Sequence, residues 1–349
     1  MSTASGEQSW PAVTFLIPTL NSASTIGRCL ESIFSLNYPM ERIKVWVLDG
    51  YSEDGTAEVA SKFDVTIHRI HGNPSVAYNS VLGHIETPLV ALVDSDAHVH
   101  REWLKTLVSS LLADNAQAAG SRILSWESDS IWSEAIGVEL DSRYSHLPTN
   151  PERIATTCMV VKTHDLREIG GFDVGLDTGY DVALGYELQR RGKKIRFRPE
   201  ALVYHLHRTS PRTYAIQQFR YGRDAVKLAI RWPRVIRGDS VTPAWMTIQP
   251  ILLSIGLIGT ALWVLSPRTF VLAGVSGFAA LASIGILWVG MAVRAIIQSR
   301  SPKIFPFAIV IQTLRAWAWT LGVTMGLIDH LLSVVRSSRD APVEDGDKV

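Results

Sequence analysis

The sequence predicts an α/β domain built on a mostly parallel, Rossmann-like sheet, followed by an interfacial helical segment and an α-helical transmembrane domain. Three observations predict it. Residues 13 to 125 alternate short β-branched runs with amphipathic stretches, the pattern of βαβ units. Residues 211 to 238 intersperse Arg212, Arg220, Arg223, Lys227, Arg231, Arg234 and Arg237 with Tyr214, Phe219, Tyr221, Leu228, Ile230 and Trp232. Residues 245 to 335 are almost continuously apolar.

The 349 residues suffice for one α/β domain of roughly 200 to 250 residues plus an appendage. The expected division is a domain at 1–210, a basic amphipathic segment at 211–240, a membrane domain of about three helices at 241–336 and a polar tail at 337–349. The expected strands are Val13–Ile17, Lys44–Leu48, Val65–Arg69, Leu89–Val93 and Ala118–Ile123. The helices between them open at Ser22–Ser24, Gly55–Thr56, Pro74–Ser75 and His100–Glu102, where a capping side chain or a proline suits a first turn. Ligands of such sheets bind beyond the carboxyl ends of the strands, so the polar residues just past those ends carry the functional signal. From 126 to 210 the pattern is less regular, with a strand at Thr157–Lys162, a helix at Asp181–Arg191 and a strand near Lys194–Arg198.

The basic segment suits an anionic membrane surface. Trp245–Leu265 and Phe270–Val293 each exceed the roughly 20 residues that cross a bilayer core. Phe305–Val335 is longer than one span needs, and its first part is expected in the interface, with Arg315 snorkelling towards headgroups. Arg231, Arg234 and Arg237 precede the first span and Arg294, Arg300 and Lys303 follow the second, with only Arg268 between. That bias places the amino-terminal domain inside, at the cytoplasmic face of the plasma membrane. No cleavable leader precedes the first strand, which agrees with a domain kept in the cytosol. Three crossings put the acidic tail Asp340–Asp347 outside, against a weak opposing signal from Arg336 and Arg339.

A formal net charge of +1 gives no reason to expect a nucleic-acid partner. The two cysteines, Cys29 and Cys158, lie in apolar segments without metal-ligand spacing and are expected to be buried, reduced thiols. Gly322 and Gly326 have the spacing of a close helix contact, within the chain or in a homo-oligomer.

The strongest local signal is Asp94-Ser95-Asp96, directly after an apolar strand. Two carboxylates so close repel unless a cation neutralises them, and hard oxygen ligands fit Mg²⁺ or Mn²⁺. An Asx-turn capping the next helix is the competing reading on these residues alone.

Three further segments accompany it: Phe15-Leu16-Ile17-Pro18-Thr19-Leu20-Asn21, Val47 to Thr56, and Gly170-Gly171-Phe172-Asp173. Taken in order, the four resemble family 2 inverting glycosyltransferases of GT-A fold, over about residues 12 to 225. The resemblance implies that Pro18, Thr19 and Asn21 line a nucleoside pocket and that Asp49 accepts a hydrogen bond from the base. Asp94 and Ser95 would contact the donor or metal, and Asp96 would be the principal metal carboxylate. Asn79 stands where the family often has arginine then asparagine, with Tyr78 in the arginine's place. Tyr180-Asp181, with Gly192 at the expected distance, matches the family's Glu-Asp, so Asp181 is the candidate general base and Tyr180 replaces the glutamate. A plain turn or cap role is open for Asp49 and Asp181.

The segment Val203 to His207 puts His205 and His207 on one strand face, and the family often completes its metal site there; a structural histidine is the alternative. Arg220 and Arg223, in a glutamine-arginine-aromatic segment, would face a diphosphate or lipid headgroups. The implied donor is a UDP- or GDP-linked sugar, with Mn²⁺ or Mg²⁺ and a lipid-linked acceptor hydroxyl. A polyprenyl phosphate acceptor, which needs no base, and a non-catalytic nucleotide-binding membrane scaffold are the alternatives.

Overall fold

Eight strands form one mixed sheet in the computed structural model of the chain, which describes residues 10–126 and 130–339. The strands are β1 Val13–Thr19, β2 Ile43–Asp49, β3 Thr66–Arg69, β4 Leu89–Leu92, β5 Ala97–Val99, β6 Ala118–Ser125, β7 Met159–Lys162 and β8 Ile195–His205, in the spatial order β3-β2-β1-β4-β7-β6-β8-β5. The helices are α1 Ile26–Phe34, α2 Thr56–Ala60, α3 Pro74–Leu82, α4 Trp103–Ala113, α5 Ile131–Tyr144, α6 Thr163–Glu168, α7 Tyr180–Arg190, α8 Pro211–Arg231, α9 Ala244–Thr247, α10 Gln249–Leu265, α11 Val271–Ser299 and α12 Phe305–Arg339. The acidic tail at 340–347 lies outside the described residues.

β3, β2, β1 and β4 are parallel, and every residue of β4 is buried, as apolar runs covered on both faces require. The sheet is nevertheless mixed: β7 runs antiparallel between β4 and β6, and β5 antiparallel to β8. β5 escapes the sequence pattern because its three residues carry no usable periodicity. It pairs Ala97 with His205, which brings the end of β8 back to the end of β4. β8 reaches that far through a register shift between Ser121 and Arg122 of β6, where Ser121 faces Arg198 but Arg122 faces Leu202.

α5 was also illegible as a helix, because its buried residues do not form a single stripe. Trp132 and Ala135 pack against α11 and α12, whereas Glu139 and Arg143 carry buried charge. That charge corrects the expectation for Arg315. Its guanidinium does not snorkel: the residue is 3% exposed, donates to Glu139 at 3.1 Å and to the Tyr214 hydroxyl at 3.1 Å. A cation stays there because Glu139, also paired with Arg143 at 3.2 Å, supplies the compensating charge. Glu139→Ala should therefore strand two arginines and cost about 3–5 kcal/mol. Thermal unfolding in detergent checks this, and an unchanged midpoint would refute the coupling.

Ala244–Leu265, Val271–Ser299 and Pro302–Arg336 are three segments long and apolar enough to cross a membrane. Leu265, Leu272, Ile286 and Ile297 are each more than 70% exposed on them. The basic segment forms α8, which runs side by side with α12 in the same direction. Along it Tyr214 meets Arg315, Gln218 accepts from Trp319 at 3.0 Å, and Arg223 pairs with Asp329 at 2.7 Å. A Cβ on Gly322 would lie 2.2 Å from the Phe219 carbonyl oxygen, and one on Gly326 2.5 Å from that of Arg223. The Gly322–Gly326 motif is thus filled within the chain, by α8.

Candidate active site

Asp94 and Asp96 follow β4, and the β5–β8 pairing delivers His205 beside them. His205 Nε2 lies 3.2 Å from Asp96 Oδ1 and 3.8 Å from Asp94 Oδ2. One ligand atom from each of the three residues falls within 4.8 Å of the others. Burial disfavours a charged imidazole, but the Asp96 and Asp94 carboxylates outweigh it and raise His205 to about 10. Burial likewise opposes ionisation of Asp96, yet His205 and then Arg208 hold its carboxyl below the usual range. A positive charge beside the two carboxylates therefore stabilises them. Two carboxylates and an imidazole fit a divalent ion such as Mn²⁺.

His207 is not in this group. Its ring sits 5.2 Å from that of His205, but the residue is buried and Nε2 has no hydrogen-bond partner. Burial, followed by the neighbouring His205, pushes its pKa down to about 3, so it is a neutral core histidine.

The nucleoside-side residues divide into two kinds. Asp49 is fully buried; Oδ1 accepts from the Ser52 amide at 3.1 Å, while Oδ2 makes no hydrogen bond and faces the Arg69 guanidinium at 3.7 Å. Thr19 is buried at the end of β1 with its hydroxyl unpartnered, and Pro18 precedes it opposite Leu48. Asn21 instead ties the two loops together, its Oδ1 accepting from the Glu53 amide and its own amide donating to Ser52. Ser95 donates to Ser22 at 2.9 Å.

Asn79 is committed elsewhere. Both ends of its amide bond the Phe172 backbone at 2.8 Å, which ties α3 to the Gly170–Asp173 turn. Gly171 must be glycine, because its φ is +77° and a Cβ would lie 2.3 Å from Asn79 Oδ1. Asn79 thus makes a scaffolding contact. Arg223 is turned towards Asp329 of α12, whereas Arg220 is exposed.

Asp181 opens α7 and Oδ2 accepts from Arg153 at 2.8 Å. Burial pushes the carboxyl above its usual range, partly offset by Arg153. Asp94 and Asp181 both act electrostatically on Cys158, Tyr180 and Tyr221, so the two carboxylates lie near the same three side chains. Cys29 and Cys158 are buried free thiols, and burial pushes the Cys158 thiol up to about 12. Sequence reasoning missed Arg153 and Arg208, which no motif marks, and the Tyr51–His71 stack with ring centroids 3.7 Å apart.

Residues 11–223 match the family described as glycosyltransferase like family 2. The chain belongs to that family. It is 31% identical over 265 residues to the pre-mycofactocin glycosyltransferase of Mycobacterium tuberculosis, covering 70% of this chain and 53% of that one. The chain therefore spans about half the length of that relative. A dolichyl N-acetyl-alpha-D-glucosaminyl phosphate glucuronosyltransferase of Methanococcus voltae is 22% identical over 229 residues, 60% of this chain and 71% of that one. Among solved structures, a mannosyltransferase of Pyrobaculum calidifontis in complex with GDP-mannose and Mn²⁺ superposes with a TM-score of 0.52 at 18% identity, covering 89% and 88% of the two chains. That likeness supports the GT-A type of sheet.

The two positions that depart from the family resemblance are neighbours in this chain. The Tyr78 ring stacks on Phe172 at 4.5 Å and meets Tyr180 edge-on at 6.3 Å. An arginine and a glutamate at these places would face one another, so an aromatic pair stands where a charged pair would. Tyr78→Arg alone should cost about 3 kcal/mol or more as a buried unpaired charge, with part recovered by Tyr180→Glu. A double-mutant cycle of unfolding midpoints tests this, and strict additivity would reject it.

Proposed function

We propose that this glycosyltransferase moves a sugar from a UDP- or GDP-linked donor to the hydroxyl of a lipid-linked glycan, with inversion, at the cytoplasmic face of the plasma membrane. The observation that carries the reading is the Asp94, Asp96 and His205 cluster at the carboxyl end of the sheet, with Asp94 and Asp181 both acting on Tyr180. A Mn²⁺ or Mg²⁺ ion held by Asp96, Asp94 and His205 would neutralise charge on the departing nucleotide diphosphate. The buried Thr19 hydroxyl has no hydrogen-bond partner, and Asp49 Oδ2 makes no hydrogen bond beyond a 3.7 Å ion pair with Arg69, so both can accept or donate to a nucleoside. Asp181 takes the acceptor proton while Arg153 holds one of its oxygens. Arg208 and Arg220 are exposed cations suited to the diphosphate. The lipid acceptor is supported by three apolar segments joined to the catalytic domain through α5 and α8, and by the name of the archaeal relative.

Phosphate as the nucleophile is the second reading, favoured by the Arg153–Asp181 ion pair, which occupies one oxygen of the base. The test is release of nucleoside diphosphate from a panel of UDP- and GDP-sugars with Mn²⁺. The acceptors supplied are a membrane lipid extract, a polyprenyl phosphate and pre-mycofactocin, the last because of the Mycobacterium relative's name. Transfer to lipid-linked glycan supports the first reading; transfer to the polyprenyl phosphate or to pre-mycofactocin replaces the acceptor. Nucleotide binding with no transfer from any donor would leave a scaffold.

A further inference from the structure

Arg153 is 5% exposed and its guanidinium is fully engaged: Nη1 with Asp181 Oδ2 at 2.8 Å, Nε with Asp239 Oδ2 at 2.8 Å and Nη2 with Thr242 Oγ1 at 2.5 Å. One cation therefore serves two carboxylates. Asp239 is itself fixed, since its Oδ1 accepts from the amides of Val241 and Thr242 and its own amide donates to the Thr242 carbonyl. The strap 239–242 is pinned to the catalytic domain on both sides. Val241 is 4% exposed within the main core, its carbonyl accepts from Arg143 at 2.8 Å, and the Ser240 amide donates to Glu152 at 3.1 Å. Two residues later α9 opens the first apolar segment. On the other side α7 comes so close that a Cβ on Gly185 would lie 2.3 Å from the Arg153 Cβ.

We propose that Arg153 is a positioning residue for Asp181, shared with Asp239, through which the strap leading into the apolar helices controls the base. The proposal rests on the reading of Asp181 as that base. Asp181 also acts on the phenols of Tyr144, Tyr180 and Tyr221 and on the Cys158 thiol, the last three of which Asp94 acts on too. The phenols and the thiol stay neutral at working pH, because each is pushed up. Arg153 and Asp239 are the opposed charges that bias Asp181 directly. Removing one should shift the carboxylate one way, and removing the other should shift it the opposite way. A structural role alone gives no such pair of signs.

The experiment is a pH titration of the full chain in detergent without added metal, followed by NMR of carboxyl-¹³C aspartate, the Asp181 signal being assigned by its loss in Asp181→Asn. Arg153→Met is expected to raise the midpoint by about one pH unit or more, and Asp239→Asn to lower it. An unmoved midpoint in both, or shifts of the same sign, overturns the proposal. Thr242→Val removes a single neutral hydrogen bond and decides the matter if a charge variant does not fold: a moved midpoint supports, an unmoved one overturns. Failure of the base reading is read separately, as retained hydroxyl transfer by Asp181→Asn.

Discussion

Asp96→Ala is expected to lower sugar transfer roughly a thousandfold and to remove Mn²⁺-dependent nucleotide binding. The size follows from the donor set. Asp96 is the carboxylate nearest His205, at 3.2 Å, and without it the site keeps one carboxylate and one imidazole. Two protein donors do not hold a hard divalent ion against water, and the diphosphate would leave without its counter-charge. Calorimetric titration of wild type and variant with Mn²⁺ and then UDP or GDP, alongside the transfer assay, measures both effects. A variant that keeps most of its activity and its metal dependence would sink the metal assignment. His207→Ala should leave metal affinity close to wild type, because that ring lies outside the cluster.

Asp181→Asn is the second large effect, a loss of about 10²- to 10⁴-fold for a hydroxyl acceptor. A sugar hydroxyl must lose its proton as it attacks, and the amide cannot take it. A lipid phosphate is already ionised, so transfer to polyprenyl phosphate should survive the substitution. Substantial residual transfer to a hydroxyl would remove Asp181 from the mechanism. The pH dependence has a definite sign. Burial raises Asp181 above the usual carboxylate range with Arg153 offsetting part of the rise, and a base works only when ionised. On the acid side kcat/KM should therefore fall tenfold per pH unit from a midpoint above the ordinary aspartate range. A profile flat down to the ordinary carboxylate range would contradict this environment.

The parallel half of the sheet was legible because its signals are local. Val13–Thr19 and Leu89–Leu92 are apolar runs covered on both faces, Ile43–Asp49 is a β-branched and aromatic run with Lys44 exposed, and the observed ends differ from the expected ones by a residue or two. The Asp94-Ser95-Asp96 segment stood out for the same reason, since its charge follows directly on an apolar strand. β5 and α5 were not legible. The first is too short to show a period, and the second is covered by the sheet domain on one side and apolar helices on the other. Arg315 misled because a lone arginine in an apolar run reads as surface-seeking, and its partner Glu139 lies far away in sequence.

By itself, then, the sequence determined most of the segments that become strands, those that become apolar helices, and which strand ends carry acid. Those outcomes depend on side chains within a few positions of each other, where periodicity and capping act. The tertiary structure alone decided that His205 rather than His207 joins the carboxylates, that Asn79 braces a turn, and that Arg153 ties Asp181 to the strap before the apolar helices. Each of those choices depends on strand register, chain crossing or burial between distant segments, and electrostatic and hydrogen-bond partners are fixed only once packing has brought them within a few ångströms.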